Sequence, residues 1–345
     1  MYITRTFILL IPKIKRIILS LLEKFPDHFK PRQIQKDILN EIENKLQSGY
    51  KKIVICAPTG VGKSLVGATV SNYFDSSFTV TASKHLQDQY IKDIPFLKPV
   101  KGKQNFPCLK LMSAEKVEND RRAMRWGLTC DKGQCQERVN KNGKEVVQVC
   151  KFKPTIKQVE DNTQDSLSCH YYLQKYDALV SKHSLWNYHA FFTIMKFNKK
   201  LFADYLDRKV TVFDEAHKIE DQIIQFVGFD IFAGQVDECN LNTEKYNFTD
   251  LDSMIQLTDD IAFSYAKKIK DIKESPAFQN NPDFELITSL ERRYDRAAQA
   301  KIDIIEDKDN FIVNDPVKDI NGNFRTISVK PIDVSKFAHE FFDTE

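Results

Sequence analysis

The chain lacks any apolar run long enough to cross a membrane. The uncharged stretch from Thr6 to Pro12 is short, and Lys13, Lys15 and Arg16 follow it at once. A spanning helix needs about 20 apolar residues, and no small-residue cleavage site follows this stretch. We therefore expect no membrane partner and no export signal, and we predict a cytoplasmic, nucleoid-associated or nuclear protein that is not secreted. Ile14 to Leu22 are interpreted as an amphipathic helix packed on the domain, with an interfacial membrane helix as the alternative.

A strong net charge of either sign is also absent. The 345 residues are 42% hydrophobic and 29% charged, and the formal net charge is only +3. This composition is typical of a globular protein with a sizeable core and more than one domain. So small a charge excludes any argument from net charge for a nucleic-acid partner, and such an argument must rest on local patches.

Against this ordinary background, residues 51–64, KKIVICAPTGVGKS, form a distinctive motif. Ile53 to Cys56 are a continuous apolar run, which predicts a strand covered on both faces, with Cys56 packed within it. Leu65 to Phe74 predict a helix. A strand, this loop and a helix in that order are typical of a phosphate-binding loop, with Ala57 in the place often held by the first glycine. The candidate nucleotide contacts are Pro58, Thr59, Gly60, Val61, Gly62, Lys63 and Ser64.

Each residue type in this loop has a chemical reason. Gly60 and Gly62 let the backbone turn its amides inward around phosphate oxygens. Lys63 can reach the β- and γ-phosphates, and the Ser64 hydroxyl can bind Mg²⁺. The helix that follows points its positive N-terminal end at the anion. We therefore predict ATP and Mg²⁺ as ligands.

A second motif, KVTVFDEAH at residues 209–217, places two acids after another apolar run. Ligands bind at the carboxyl ends of strands in open α/β sheets, so we expect Asp214 and Glu215 to lie beside the phosphate loop. Asp214 can hold Mg²⁺ through its water shell, and Glu215 can orient and deprotonate the attacking water. His217 is predicted to sense the γ-phosphate or to couple it to the other lobe. The candidate catalytic residues are Lys63, Asp214, Glu215 and His217.

These motifs resemble motifs I and II of superfamily 2 helicases of the DEAH type. "KPRQIQ", residues 30–35, resembles the R-x-x-Q element of that family, which implies nucleotide contacts for Arg32 and Gln35. "VTASKHLQDQY", residues 80–90, resembles motif Ia, in which a strand ends and a helix begins beside the nucleic-acid track. The resemblance implies a P-loop, RecA-like parallel α/β lobe.

Cysteine is scarce outside one segment. Five of the seven cysteines lie between residues 108 and 169, and only Cys130 and Cys135 form a close pair. Without an export signal we expect a reducing compartment, in which clustered thiols favour metal binding over disulfides. Structural zinc usually has two short Cys-x₂₋₄-Cys pairs, whereas a cubane iron–sulfur cluster needs four converging thiolates without fixed spacing. From the residues alone, zinc and iron–sulfur both stay open.

The same segment resembles that of the XPD/DinG-like iron–sulfur DNA helicases. "KGKQNFPC", residues 101–108, resembles the stretch that ends in their first cluster cysteine, and "CHYYLQKYDALVSKHSL", residues 169–185, resembles the last cysteine with the strand after it. His170 stands where the family usually has proline. The resemblance implies a [4Fe–4S] cluster bound by Cys108, Cys130, Cys135 and Cys169, with Cys150 as the alternative ligand.

The cysteine segment is also basic, with interleaved aromatic residues. Lysine and arginine suit phosphates and aromatic faces suit bases, so this composition favours a single-strand track over a merely solvated surface. The residues are Lys98, Lys101, Lys103, Lys110, Arg121, Arg122, Arg125, Arg138, Lys151 and Lys153, with Phe106, Trp126 and Phe152.

After the second motif the sequence becomes strongly helical. One apolar face runs from Leu251 to Ile269, a second helix is predicted from about Asp283 to Ile305, and Asn321–Gly322 predict a tight turn between short strands. By resemblance the helical pair is an arch domain, and residues 327–342 return into the first motor lobe. Up to Glu345 the chain has no counterpart of motif III or of the second motor lobe.

These observations predict five segments and one activity. Residues 1–97 and 171–221 form the first motor lobe, 98–170 the cluster domain, 222–326 the arch, and 327–345 the return. The resemblance implies an ATP-hydrolysing, 5′-to-3′ DNA helicase on single-stranded or forked DNA, present as its N-terminal half, with a role in DNA repair among those open. The alternative is a non-hydrolysing fragment or subunit that binds ATP and single-stranded DNA and needs a second lobe as partner.

Overall fold

A computed structural model of the protein describes residues 4–12, 20–141, 144–276, 278 and 283–342. The predicted helix Ile14–Leu22 falls mostly outside these residues, and Leu21–Lys24 form a short 3-10 helix. The strands are β1 Thr4–Leu10, β2 Lys52–Pro58, β3 Ser77–Thr81, β4 Lys98–Pro99, β5 Gln136–Lys141, β6 Lys144–Val149, β7 His183–Asn187, β8 Val210–Phe213, β9 Phe229–Phe232, β10 Phe311–Val313, β11 Val317–Lys318 and β12 Phe324–Pro331.

The helices range from one turn to about six turns. Within the described residues no helix is both long and apolar enough to cross a bilayer. The α-helices are α1 Gln33–Gln47, α2 Lys63–Tyr73, α3 Lys84–Asp93, α4 Leu109–Ala114, α5 Asp120–Arg125, α6 Ile156–Glu160, α7 His170–Val180, α8 Tyr188–Phe197, α9 Ala203–Leu206, α10 Ile219–Val227, α11 Ala233–Glu238, α12 Leu251–Glu274, α13 Phe284–Glu306 and α14 Ser335–Phe342.

The chain folds into two compact units. The first is drawn from Met1–Leu109, Lys151–Gln222 and Ala338–Glu345, and the second from Lys110–Cys150 and Ile223–Phe337. Both units are therefore discontinuous in sequence. The five predicted segments have different bounds, and they stay a prediction.

A six-stranded sheet forms the centre of the first unit, in the order β2-β1-β8-β3-β7-β4. Strands β8, β3, β7 and β4 are mutually parallel. Strand β1 is antiparallel to both of its neighbours, β2 and β8, so β2 and β8 point the same way. The result is a mixed α/β fold with a sheet rich in parallel strands, as the sequence predicted for a RecA-like lobe. The inserted antiparallel strand was not predicted.

Close packing between β1 and α2 joins the sheet to the phosphate-loop helix. Phe7 is 1% exposed and belongs to a core that includes Leu9, Val66 and Val212. A methyl group on Gly67 of α2 would lie 2.3 Å from the Phe7 ring, so glycine is required for this approach. Burial of such side chains contributes about 1.5–3 kcal/mol each, which makes this contact a major support of the site above it.

One expectation about β2 is wrong. The strand was predicted to be covered on both faces, but Val54 is 59% exposed and Cys56 is exposed. The reason is the position of β2 at the edge of the sheet, where only one face packs against the core. An apolar run alone cannot distinguish a central strand from an edge strand.

The second unit contains a helical pair, a four-stranded sheet and a separate β5–β6 hairpin. Helices α12 and α13 pack together, and α12 buries an apolar face that includes Met254, Ile261 and Tyr265. Strand β12 pairs with β9, β10 and β11, all antiparallel. The predicted helical pair and the turn at Gly322, which has φ +83°, are both confirmed. Their assignment to an arch stays a prediction.

Candidate nucleotide-binding site

The loop between β2 and α2 has the backbone that a phosphate cradle needs. Gly60 and Gly62 have φ values of +82° and +84°, which side-chain-bearing residues rarely adopt. Helix α2 begins at Lys63, two residues earlier than predicted, and Gly62 is its N-cap. The first amides of a helix have no partner within it and favour an anion there.

Lys63 is buried at the base of this loop. Its ammonium group donates hydrogen bonds to the carbonyl oxygens of Ala57, at 3.0 Å, and Pro58, at 2.9 Å. These bonds hold the end of β2 against the start of α2. They also keep a positive charge inside the loop, where a bound phosphate would need it.

Arg32 and Gln35, predicted as nucleotide contacts, are placed against the phosphate loop itself. Arg32 Nη2 donates to the Gly60 carbonyl at 2.8 Å, and Gln35 Nε2 donates to the Gly62 carbonyl at 3.3 Å. Gln35 Oε1 also accepts the Arg32 backbone N–H at 2.9 Å, which caps the start of α1. A methyl group on Gly62 would lie 2.3 Å from Gln35 Nε2. The R-x-x-Q element therefore supports the shape of the loop.

Asp214 lies at the carboxyl end of β8 and faces the loop from across the sheet. Its Oδ2 accepts from the Tyr90 hydroxyl at 2.9 Å and from the Ser64 hydroxyl at 3.4 Å. Its Oδ1 accepts the Glu215 N–H at 2.9 Å, and its backbone carbonyl accepts the Tyr188 hydroxyl at 3.0 Å. Burial raises the pKa of the Asp214 carboxyl, and the Tyr90 hydrogen bond opposes that change. Burial likewise raises the pKa of the two tyrosines, so both remain hydrogen-bond donors.

The neighbouring acid, Glu215, is also buried, and its backbone is turned away from the strand. Its φ of +54° and ψ of +40° are left-handed, an uncommon conformation for a residue other than glycine. His217 Nε2 lies 3.4 Å from Glu215 Oε2. Because of this left-handed turn, the Asp214 and Glu215 side chains point in different directions. The same turn places His217 beside the Glu215 carboxylate. Such strained residues are common at functional sites.

Both predicted motifs border one cleft of about 310 Å³. Two residues of α3, Leu86 and Gln89, complete its wall. The other lining residues are Thr59, Gly60, Gly62, Lys63, Ser64, Asp214 and Glu215. Residues about 150 positions apart in sequence therefore meet at one edge of the sheet, as expected from strand direction. The roles of the individual residues stay predictions.

The Ser64 and Asp214 side chains are suited to Mg²⁺. Mg²⁺ prefers oxygen ligands, usually one or two protein groups together with waters and substrate phosphates. The Ser64 hydroxyl and the Asp214 carboxylate are such groups, they lie 3.4 Å apart, and both border the cleft. The donor set thus fits the predicted ion.

The cysteines predicted to bind an iron–sulfur cluster are divided between the two compact units. Among the residues that the structure describes, there is no group of three or more His, Cys, Asp or Glu side chains placed to hold a metal ion. In the first unit Cys108 and Cys169 are buried. In the second unit Cys130 is buried, and the Cys150 N–H donates to the Cys135 carbonyl at 3.0 Å. The cluster stays a prediction from the sequence.

A row of aromatic rings and lysines lies elsewhere in the first unit. The rings of Phe106, Tyr171, Tyr172, Tyr176 and Phe202 follow one another with centroids 5.0–6.1 Å apart. We call this row the aromatic ladder. Three ammonium groups lie over it, each 4.6–5.7 Å from a ring centroid; they belong to Lys103, Lys153 and Lys175.

The three lysines of the ladder repel one another. Burial and the charges of Lys103 and Lys153 lower the pKa of Lys175 to about 8. A bound anion would relieve this repulsion, and phosphate groups are suitable anions. In the second unit, Arg122 lies over the Trp126 ring at 4.1 Å, and Trp126 is 50% exposed. The predicted mixture of basic and aromatic residues is therefore present in each unit.

Sequence reasoning missed the two tyrosines that bind Asp214, and also Lys175. For Tyr90 the sequence held one indication of burial. Gln87 and Tyr90 are three residues apart, which places them on one face of α3, and both are buried there. A buried tyrosine hydroxyl usually finds a partner, but the sequence does not say which one. Tyr188 lies at the start of α8 and gave no signal.

Comparison with known proteins agrees with this geometry. The family model described as ResIII, the res subunit of type III restriction enzymes, matches residues 28–249, which include the R-x-x-Q element, the phosphate loop and the two acids. A search of curated proteins found no match. The matched domain is a helicase-like, superfamily 2 motor domain, which supports an N-terminal motor lobe that uses ATP and Mg²⁺ to act on nucleic acid. The chain belongs to the ResIII family.

Proposed function

We propose that the protein couples ATP hydrolysis to movement along single-stranded DNA, as the first motor lobe of a 5′-to-3′ DNA helicase. The observation that carries the proposal is the meeting of Lys63, Ser64, Asp214 and Glu215 at one cleft. Phosphoryl transfer needs a phosphate cradle, a metal site and a group that positions water, and this cleft offers all three. The polarity and the choice of DNA come from the resemblance to XPD/DinG-like helicases.

In this proposal each side chain has one role. Lys63 leaves the carbonyl groups of Ala57 and Pro58 for the phosphates, while Ser64 and Asp214 hold Mg²⁺. Bound Mg²⁺ supplies positive charge that neutralises the phosphates. Glu215 orients the attacking water and accepts its proton, and His217, 3.4 Å from it, fixes the orientation of that carboxylate.

The aromatic ladder is the proposed contact with single-stranded DNA. Bases stack on aromatic rings with little regard to sequence, and lysines bind the phosphates between them. Lys103, Lys153 and Lys175 lie beside ladder rings, so positive charge and aromatic side chains occur together there. Forked DNA is the proposed natural substrate, and a second motor lobe on another segment or chain is the proposed partner.

Steady-state ATP hydrolysis with and without single-stranded DNA tests the motor. Lys63→Ala should abolish turnover, whereas Lys51→Ala, at an exposed lysine near the start of β2, should leave it unchanged. DNA-stimulated turnover that depends on Lys63 would support the proposal. Turnover that persists in Lys63→Ala would refute the assignment of the site.

A second candidate is a subunit that binds ATP and single-stranded DNA without hydrolysing ATP alone. The observation in its favour is that no arginine is among the described residues lining the cleft. Arg32, which lies beside it, donates to the Gly60 carbonyl. Helicase-like motors use arginine to stabilise the charge that develops on the transferred phosphoryl group. Tight binding of an ATP analogue without turnover, and turnover restored by a separate second lobe, would favour this candidate.

The [4Fe–4S] cluster is proposed on the sequence resemblance and the thiol chemistry only. Anaerobically purified protein should contain iron and acid-labile sulfide, and Cys130→Ser should lose both. Cys239→Ser is the matched control, because Cys239 is buried like Cys130 but lies far along the chain from the five clustered cysteines. Zinc in place of iron would refute the cluster and support the zinc alternative.

A further inference from the structure

Tyr90 ends the segment that resembles motif Ia, but that resemblance gives its hydroxyl no partner. Its side chain is 2% exposed, and its hydroxyl donates to Asp214 Oδ2 at 2.9 Å. It belongs to α3, whereas Asp214 follows β8, so the bond joins two elements 124 residues apart in sequence. Ring burial alone does not require the hydroxyl, and phenylalanine has the same ring.

The two oxygens of the Asp214 carboxylate accept hydrogen bonds from different donors. Oδ1 accepts the Glu215 N–H, and Oδ2 accepts the hydroxyls of Tyr90 and Ser64. The Ser64 bond is the longer one at 3.4 Å, and the Ser64 oxygen is itself a proposed ligand of Mg²⁺. Tyr90, at 2.9 Å, is therefore the closer hydroxyl donor to the Oδ2 end of the carboxylate.

A second tyrosine provides an internal comparison. Tyr188 is 0% exposed, and its hydroxyl donates to the backbone carbonyl of Asp214 at 3.0 Å. Tyr90 therefore controls the carboxylate, and Tyr188 controls the main chain of the same residue. Both tyrosines are buried and the two bonds have similar lengths, but only Tyr90 contacts a group that would act on the metal shell.

We infer that Tyr90 is a positioning residue for the Mg²⁺ site, which holds the Asp214 carboxylate in the orientation that receives the metal shell. The inference rests on the proposed function, since it needs a nucleotide and Mg²⁺ in the cleft. It adds to that function a residue outside the phosphate loop and outside the acidic motif. Without Tyr90, rotation of the carboxylate would be opposed by the Glu215 N–H at Oδ1 and by the longer Ser64 bond at Oδ2.

The test measures how much Mg²⁺ strengthens nucleotide binding. The Kd of a fluorescent, non-hydrolysable ATP analogue is determined in EDTA and in Mg²⁺, and the ratio of the two values is the readout. Tyr90→Phe should leave the Kd in EDTA unchanged and reduce the ratio by about tenfold, the scale expected for one hydrogen bond to a charged group. A merely structural loss would weaken binding in both conditions.

Two controls make the result specific. Tyr265→Phe removes the hydroxyl of a fully buried tyrosine of α12, outside the cleft, and should retain the wild-type ratio. Asp214→Asn should abolish the Mg²⁺ effect, and adding Tyr90→Phe to it should cause no further change, because Tyr90 acts through Asp214.

The possible outcomes separate this inference from the proposed function. An unchanged ratio in Tyr90→Phe, or an equal loss in Tyr265→Phe, would overturn the role of Tyr90 while the nucleotide site stands. An additive effect of Tyr90→Phe on Asp214→Asn would also overturn it. Wild-type protein that binds no nucleotide in either condition would overturn the proposed function and this inference together.

Discussion

Gln35 joins the start of α1 to the phosphate loop, and its replacement by alanine gives the sharpest test of that connection. The side chain is 1% exposed, accepts the Arg32 N–H at 2.9 Å and donates to the Gly62 carbonyl at 3.3 Å. A hydrogen bond of this kind contributes about 0.5–1.5 kcal/mol to stability. Loss of both should therefore lower the free energy of unfolding by about 1–3 kcal/mol.

The same substitution should weaken nucleotide binding. The Gly62 carbonyl belongs to the peptide that precedes Lys63, so a change in its orientation also turns the amide that faces a bound phosphate. The Gly60 carbonyl would still be held by Arg32. We therefore expect a partial loss of affinity, of about tenfold, which corresponds to about 1.4 kcal/mol.

Two further variants separate the helix cap from the loop. Gln35→Glu retains an acceptor for the Arg32 N–H but puts a carboxylate oxygen against the Gly62 carbonyl, so it should keep most of the cap and lose the loop contact. Gln33→Ala changes an exposed glutamine of the same helix and should alter neither property. Urea unfolding gives the stability of each variant, and isothermal titration with ADP in EDTA gives the affinity.

Two results would refute this role of Gln35. If Gln35→Ala and Gln33→Ala had the same stability and the same ADP affinity, the bonds of Gln35 would not support the loop. If Gln35→Glu bound ADP as tightly as the wild type, the contact with Gly62 would be irrelevant to the nucleotide, whatever the effect on stability.

Three more outcomes are expected. Glu215→Gln should retain Mg²⁺-dependent binding of an ATP analogue but lose about 100-fold or more of the hydrolysis rate, measured as phosphate release, because the amide cannot accept the proton; unchanged turnover would exclude Glu215 as the base. Burial, and secondarily Arg208, lower the pKa of His183 from 6.5 to about 4. The unfolded chain therefore binds a proton before the folded one, and the urea midpoint should fall as the pH drops from 6.5 to 4; His183→Asn should flatten this dependence, and an equal slope in both proteins would contradict it. The buried Arg208 donates to the carbonyls of Leu179, Ser181 and Lys182. Arg208→Leu leaves those carbonyls without these donors and should lower the free energy of unfolding by about 2 kcal/mol or more, seen in urea unfolding; a loss below that of Arg208→Lys would count against the role of these bonds.

The sequence predicted much of the site because its motifs are local. A strand followed by a glycine-containing loop and a helix has few backbone solutions, and Gly60 and Gly62 adopt the positive φ values that this geometry requires. The two acids after β8 were expected beside that loop because parallel strands end at the same edge of a sheet. Helices α12 and α13 were also predictable, because apolar residues that recur at helical spacing over 23 or 24 residues indicate a helix.

Other features could not be predicted because they depend on contacts between distant segments. Strand β1 lies between β2 and β8, antiparallel to both, and nothing in its seven residues specifies those neighbours. The edge position of β2 then decided that Val54 and Cys56 are exposed.

What the sequence by itself determined is the chemistry available at the cleft: a lysine, a hydroxyl and two carboxylates in motifs with fixed local geometry. Only the tertiary structure decided which side chains form hydrogen bonds with the residues of the cleft. Tyr90 and Tyr188 reach Asp214 from two different helices, and Gln35 reaches Gly62 from a third. The physical reason is that a buried polar group must find a partner, but the identity of that partner is set by which segments the fold brings together.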